Sequence, residues 1–390
     1  MSASTDQIPK EVFEETLLQF LAPIRPFLDD ASVSEIMING PNQIYVERKG
    51  QLTLTGAKFE SKEALVSALR NLAQYVGKPV DEFRPILEGR MPDGSRVEAV
   101  FPPAAPDGPH VAIRRFFKET LNIERLVGFG AMTEDAASAL HAFVASKLNV
   151  IVAGGTGSGK TSLLNALSSF IPQEERVVVL EDSRELQLQR SHVVQLESRP
   201  ADNKGRGLVT IRDLFRATLR MRPDRIVVGE IRGGEALDLI QAMTSGHGGC
   251  LSTLHATYPK DTLTRLEVMA MMSDVEMPLS ALRIQLASAV NMIVQVSRFQ
   301  DGSRKVTHIT EVLGYDPRTN TYEIQDIFER KYLGVGSKGE LQTEMVATGI
   351  IPRCISAVHE HGMDLPPAIY EAARRAGKSV LPPGGGGPRH

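Results

Sequence analysis

Residues 154–161 read GGTGSGKT and match G-x-x-x-x-G-K-[ST] with Gly154, Gly159, Lys160 and Thr161. The pattern predicts a phosphate cradle. Glycines let the backbone turn its N–H groups inward, and the following helix aims its positive end at the phosphates. Lys160 reaches the β- and γ-phosphates, and Thr161 places a hydroxyl on Mg2+. The expected contact set runs through Gly155, Thr156, Gly157, Ser158, Gly159, Lys160, Thr161 and Ser162. These residues alone predict ATP or GTP binding and leave the task open.

Hydrolysis needs a carboxylate near the attacking water. Glu230 ends the apolar run RIVVGE, where a general base would stand, although a surface carboxylate paired with Arg232 has the same local sequence. VVVLEDSRE offers Glu181, Asp182 and Glu185. One or more could hold Mg2+ or orient the nucleophile, with Glu181 on the metal side and Glu185 on the catalytic side. The same residues could instead cap a following helix. GHGGCLSTLHA carries two histidines, His255 as a candidate γ-phosphate sensor and His247 as a turn former. Arg96, Arg114 and Arg115 lie outside the glycine-loop region and could donate charge to the transition state from another domain or subunit. Arg212, Arg216 and Arg220 share a helical face that reads as solvated, basic or a subunit contact.

Particular elements must position these groups. Residues 149–153 (NVIVA) are a short buried strand running straight into the loop, and TSLLNALSSF is the helix that leaves it. RVVVLED and RIVVGE are further buried strands, with helical stretches at 208–221 and 234–244. Strands alternating with helices predict a mostly parallel sheet. Upstream, residues 11–28 and 60–76 have helical spacing, and short strands separated by Asn39-Gly40-Pro41 and similar punctuation fill the rest. That is a separate α+β pattern.

The chain has 390 residues, more than one core usually spans. A net charge of -3, no tryptophan and 5% aromatics give no general pull toward nucleic acid and no stacking platform. Two cysteines exclude a disulfide framework or a closed zinc site and suit a reducing compartment. The polar, acidic start is unlike a secretory signal, and no apolar run approaches the roughly 20 residues of a membrane span.

Together the motifs resemble the type II/type IV secretion ATPase superfamily. GGTGSGKT, LEDSREL, RPDRIVVGEIRGGEA and GHGGCLSTLHA occur in the family's order. SVSEIMING, MPDGSRVEAVFPP and LSTLHATYPKDTLTRLE look most like the CpaF-type branch, which powers assembly of tight-adherence (Flp) pili. The resemblance implies an α/β fold: an N-terminal α+β (PAS-like) domain at 1–118, a linker at 119–133 and a RecA-like P-loop ATPase domain at 134–345. A C-terminal helical segment at 346–378 and a disordered tail at 379–390 complete the expectation. It further implies ATP and Mg2+ as cofactors, a homo-hexamer, inner-membrane platform partners, and a cytoplasmic location at the membrane periphery. Zinc and stable nucleic-acid binding are not expected. In the family pattern Lys160 and Thr161 bind phosphate and metal, Glu230 is the base, and Glu185 and His255 assist. Arg96 and Arg114 arrive from the N-terminal domain. A conjugation-type or effector-type IV secretion ATPase is the alternative, and a nucleic-acid translocase or a nucleotide-gated scaffold stand further off.

Overall fold

A computed structural model describes residues 10–48, 50–116, 121–201, 205–336 and 341–378. The tail at 379–390, expected to be disordered, lies outside the described residues. The chain divides into two compact units, Met1–Glu119 and Thr120–His390.

The first unit contains α1 (Lys10–Phe20), α2 (Arg25–Asp29), β1 (Val33–Asn39), β2 (Ile44–Arg48), β3 (Gln51–Leu54), α3 (Lys62–Val76), β4 (Ile86–Arg90), β5 (Arg96–Val100) and β6 (His110–Arg114). The single helix expected over 11–28 is broken, because Pro23 and Pro26 fall in the first positions of a short 3-10 turn and of α2. A proline has no N–H to continue an earlier helix. The six strands pair antiparallel in the order β3-β2-β1-β6-β5-β4. Alternate residues such as Ile36, Ile38, Val97, Ala99, Val111 and Ile113 face a core shared with Leu65, Leu69 and Leu72 of α3. Ser61 caps α3 by accepting the Ala64 N–H at 3.1 Å.

The second unit begins with α4 (Ile123–Gly128), in the stretch expected as linker. Its Ile123 and Leu126 are buried in the unit's core. There follow α5 (Glu134–Ala145), β7 (Val150–Gly154), α6 (Lys160–Ser168), β8 (Val177–Glu181), β9 (Val193–Glu197), α7 (Ile211–Thr218), β10 (Arg225–Val228), α8 (Glu235–Thr244), β11 (Leu251–His255), α9 (Pro259–Met271), α10 (Leu279–Ala289) and β12 (Met292–Arg298). The last elements are β13 (Arg304–Asp316), β14 (Thr321–Val335), β15 (Leu341–Ala347), α11 (Ile355–Glu360) and α12 (Pro367–Arg375).

Nine strands form one sheet in the order β15-β14-β13-β12-β7-β11-β10-β8-β9. The run from β12 to β9 is parallel, and β13, β14 and β15 extend it antiparallel. Helices cover both faces. Phe143, Leu164 and Leu167 pack on one side, and Phe215, Ile240, Leu263 and Leu286 on the other. A strand covered on both faces must be apolar throughout. β7 meets this with Val150, Ile151 and Val152 fully buried, worth roughly 1.5–3 kcal/mol each. Burial at this level holds rigid the strand that carries the glycine loop. Among the described residues no helix is long and apolar enough to cross a membrane.

Candidate nucleotide site

Ligands in open α/β sheets bind beyond the carboxyl ends of the strands. The sequence motifs of the second unit collect at that edge. β7 ends at Gly154, where a Cβ would collide with the Val296 carbonyl oxygen and lie 2.5 Å from Ser158 Oγ. Gly157 and Gly159 have φ of +68° and +93°, left-handed values that strain a residue with a side chain. The loop closes on the Gly155 carbonyl oxygen, which accepts from Ser158 Oγ at 2.8 Å and from Lys160 Nζ at 3.0 Å. α6 starts directly behind, with Gly159 at its N-cap, and no side chain among the described residues caps it. Its first amides and its positive dipole end therefore face the loop, the arrangement that attracts a phosphate. Thr161 is half-buried and Ser162 exposed on the first turn.

Strand order brings in the distant motifs. β11 lies beside β7, and His255 is in register with Gly154. Lys160 Nζ is 3.3 Å from His255 Nδ1 and 3.4 Å from Nε2. His255 Nε2 is 2.7 Å from Glu230 Oε1. Arg232 Nε donates to Glu230 Oε2 at 2.7 Å, and Arg232 Nη1 is 3.9 Å from Asp182 Oδ2. Both contacts expected for Glu230 thus coexist: it lies by the glycine loop, and it is paired with Arg232. Burial, then the nearby Lys160 charge, hold the His255 imidazole below its usual value, with Glu230 opposing. That shift favours the neutral ring, which can accept from Lys160 on one nitrogen while the other faces Glu230 Oε1. Burial would lower Arg232, but its bond to Glu230 and the charges of Glu230, Asp182 and Glu185 raise it instead.

The carboxylates after β8 behave differently from the helix-capping alternative. No helix follows Glu181; residues 184–189 are irregular. Glu181 is 4% exposed, and its Oε1 accepts the Glu185 N–H at 2.8 Å and the Leu186 N–H at 3.0 Å. Its first task is to shape this turn. A Cβ on Gly229 would stand 2.8 Å from Glu181 Cγ, so that glycine admits Glu181 next to the Glu230 strand end. Glu185 is half-buried and close enough to Arg232 to act on its charge.

His247 does not join the loop. It precedes β11 while His255 ends it, and the strand between, Leu251 to His255, is roughly 13 Å long. The basic face of α7 is partly neutralised: Arg212 Nε is 3.0 Å from Asp238 and its Nη1 2.7 Å from Asp274, with Arg216 Nε 4.0 Å from Asp238.

In the first unit, Arg96 and Arg114 are directly opposite one another on β5 and β6. Arg90 of β4 is opposite Arg96 and extends the row. All three leave the sheet face away from the core. The sequence reading missed Arg90, whose only signal was its cross-strand register. It also missed Arg298 and Arg304, which flank the turn Phe299–Ser303 between β12 and β13. Arg304 Nε donates to the Gly157 carbonyl oxygen at 2.8 Å. Their signal was an Asp301-Gly302 hairpin turn with arginines on both sides.

Residues 18–327 match the model of the family described as Type II/IV secretion system protein. A putative conjugal transfer protein of Mycobacterium tuberculosis is 34% identical over 292 residues, covering 73% of this chain and 82% of its own. The type IV secretion system protein VirB11 of Brucella suis is 34% identical over 327 residues, covering 77% and 90%. The X-ray structure of the Legionella pneumophila ATPase DotB superposes with a TM-score of 0.52 at 21% identity, covering 82% of this chain and 84% of that one, and supports the fold.

Proposed function

The chain belongs to the type II/IV secretion system protein family, and we propose that it is an ATP-hydrolysing motor of a conjugation-type or type IV secretion apparatus. One observation carries the reading: Gly155, Lys160, His255, Glu230 and Arg232 form a continuous line of contacts at the mouth of the glycine loop. Every polar group in that line can exchange its present partner for a phosphate oxygen or a water. Lys160 would leave Gly155 O and His255 for the β- and γ-phosphates. Glu230, oriented by Arg232 and His255, would take the proton of the attacking water. His255 would lose its cationic neighbour as Lys160 moves, and so report phosphate occupancy to Glu230. Thr161 and Glu181 would hold Mg2+, whose chemistry there would be to neutralise phosphate charge. Glu185 would tune the carboxylate cluster through Arg232. Arg96 and Arg114, which stand in one cross-strand row with Arg90, would supply transition-state charge. A homo-hexamer at the inner-membrane periphery is part of the same proposal, supported by membership of the secretion system family.

Tight-adherence pilus assembly, read from phrases such as SVSEIMING, is the narrower alternative. The conjugal-transfer and secretion names of the relatives weigh toward a secretion apparatus. The test is nucleotide binding, turnover and particle mass of wild type, Lys160→Ala and Glu230→Gln. Lys160→Ala is expected to lose measurable nucleotide binding and turnover. Glu230→Gln is expected to bind ATP within about twofold of wild type while kcat falls about 10²–10⁴-fold. Wild-type turnover in Glu230→Gln would remove it as the base. DNA-stimulated hydrolysis with a steep salt dependence would redirect the reading to a nucleic-acid translocase.

A further inference from the structure

We infer that the β12–β13 hairpin clamps the phosphate loop and that Arg304, supported by Arg298, is a positioning residue for nucleotide binding. The inference rests on the ATPase reading above and assigns a new part to it. A peptide unit is rigid and trans, so its C=O and the following N–H point in opposite directions. Arg304 Nε draws the Gly157 carbonyl toward the hairpin at 2.8 Å. That bond turns the Ser158 N–H the other way, where it donates at 3.4 Å to the Gly155 carbonyl oxygen that Lys160 Nζ also contacts, a partner an incoming phosphate oxygen would replace. A charged donor on this carbonyl also polarises the peptide, making the Ser158 N–H a stronger donor to an anion.

Both arginines press on the same stretch. A Cβ on Gly157 would lie 3.3 Å from Arg298 Nη1, and one on Gly159 would lie 3.3 Å from Arg304 Cδ. The loop glycines thus serve the hairpin packed outside as well as the ligand inside. Two guanidinium groups beside an anion site also raise the local positive potential.

The hairpin is stiff enough to clamp. β12 pairs with β7 through Val296 and Gly154, so its position is indexed to the start of the loop. Arg298 and Arg304 are directly opposite across the ladder. Between them, Phe299 N–H donates to Ser303 O at 2.8 Å, and Asp301 Oδ1 accepts the Ser303 N–H at 2.9 Å and Ser303 Oγ at 2.6 Å. Asp301 Oδ2 accepts the Leu341 N–H at 3.0 Å, tying the turn to the start of β15. An exposed arginine on a flexible turn would be a loose surface tether; this one is braced at both ends.

The experiment measures fluorescent-ADP and ATP binding, steady-state kinetics and hydrogen–deuterium exchange on the full chain. It compares wild type, Lys160→Ala, Arg304→Met, Arg304→Lys and Arg298→Met. Methionine keeps an unbranched stem against Gly159 and deletes the guanidinium. Arg304→Met is expected to weaken ADP binding about tenfold, the loss of one charged hydrogen bond. KM for ATP should rise with kcat within about twofold, because ground state and transition state use the loop alike. Exchange at 155–159 should speed up without nucleotide. Arg304→Lys should recover part of the affinity, and Arg298→Met should cost about threefold. ADP affinity within about twofold of wild type, with loop exchange unchanged, would overturn the clamp. If Arg304→Met fails to fold, the same two criteria are read on Arg304→Lys. If wild-type protein binds ADP no better than Lys160→Ala, the ATPase reading falls and the clamp with it.

Discussion

The two edges of the parallel sheet in the second unit use similar residues for opposite ends. At the carboxyl edge, Lys160, His255, Glu230 and Arg232 make a line of contacts across β7, β11 and β10. At the amino edge, Lys147 Nζ lies 3.1 Å from Glu175 Oε1, and Arg225 Nε lies 2.5 Å from Glu175 Oε2. Arg225 also reaches the carbonyls of Gly249 and Ala145, both at 3.4 Å. The difference is access. The Arg225 side chain is wholly buried and Glu175 is 13% exposed, whereas His255 and Arg232 are 38% and 55% exposed. A buried pair with every partner inside the protein has nothing to exchange and works as a strut. A half-exposed line can trade partners with a substrate. Glycine follows the same division: at Gly249 a Cβ would collide with the Arg225 guanidinium, so this glycine makes room for protein. The α6 N-terminus leaves its amides open to an anion instead.

The comparison can be broken by variants that confuse the two edges. Glu230→Gln is expected to show the largest effect, about 10²–10⁴-fold in kcat, with thermal stability close to wild type. A large stability loss without loss of turnover would reverse the assignment of the edges. Arg225→Met is expected to lower unfolding free energy by about 3 kcal/mol, the low end for breaking a buried pair, since Lys147 still faces Glu175. Turnover per folded molecule should stay within about threefold, which chemical denaturation and active-site titration together would check. The smallest effect is the pH response of His255. Its folded-state value lies below the ordinary histidine range, so protonation is costlier in the folded chain than in the unfolded one. Wild type should therefore lose stability as pH falls from neutral through that range toward the depressed value. His255→Gln should show a shallower slope between pH values of about 7.5 and 5.5. Equal slopes would show that burial and Lys160 do not act on this ring.

The sequence carried what is local. GGTGSGKT, the apolar run before it and the helix after it are contiguous, so strand, loop and helix could be read without tertiary knowledge. The Lys160–His255–Glu230 line could only be assembled through the motif order, because it depends on β11 inserting between β7 and β10. Strand order is a long-range property that periodicity does not report. Arg225 and Arg232 flank the same short strand and look equivalent in RPDRIVVGEIR; only burial separates them. His247 and His255 posed the same problem, solved by their places before and at the end of one strand. The antiparallel extension β13–β15 was missed because its strands are partly exposed and alternate too weakly to stand out. Arg90, Arg298 and Arg304 became visible only through cross-strand register, which fixes which side chains stand abreast.

Glu311 on β13 has a consequence for where this protein can be cut. It is 3% exposed, and its carboxylate accepts the Cys354 N–H at 2.7 Å, the Arg353 N–H at 2.9 Å and Gln325 Nε2 at 2.6 Å. A shortened chain ending after β15 would remove two of those three donors and leave a buried carboxyl group short of partners. The backbone at residues 353 and 354, just ahead of α11, therefore satisfies a buried carboxyl group of the sheet. Trimming the chain before residue 353 to isolate the nine-stranded sheet would destabilise that sheet.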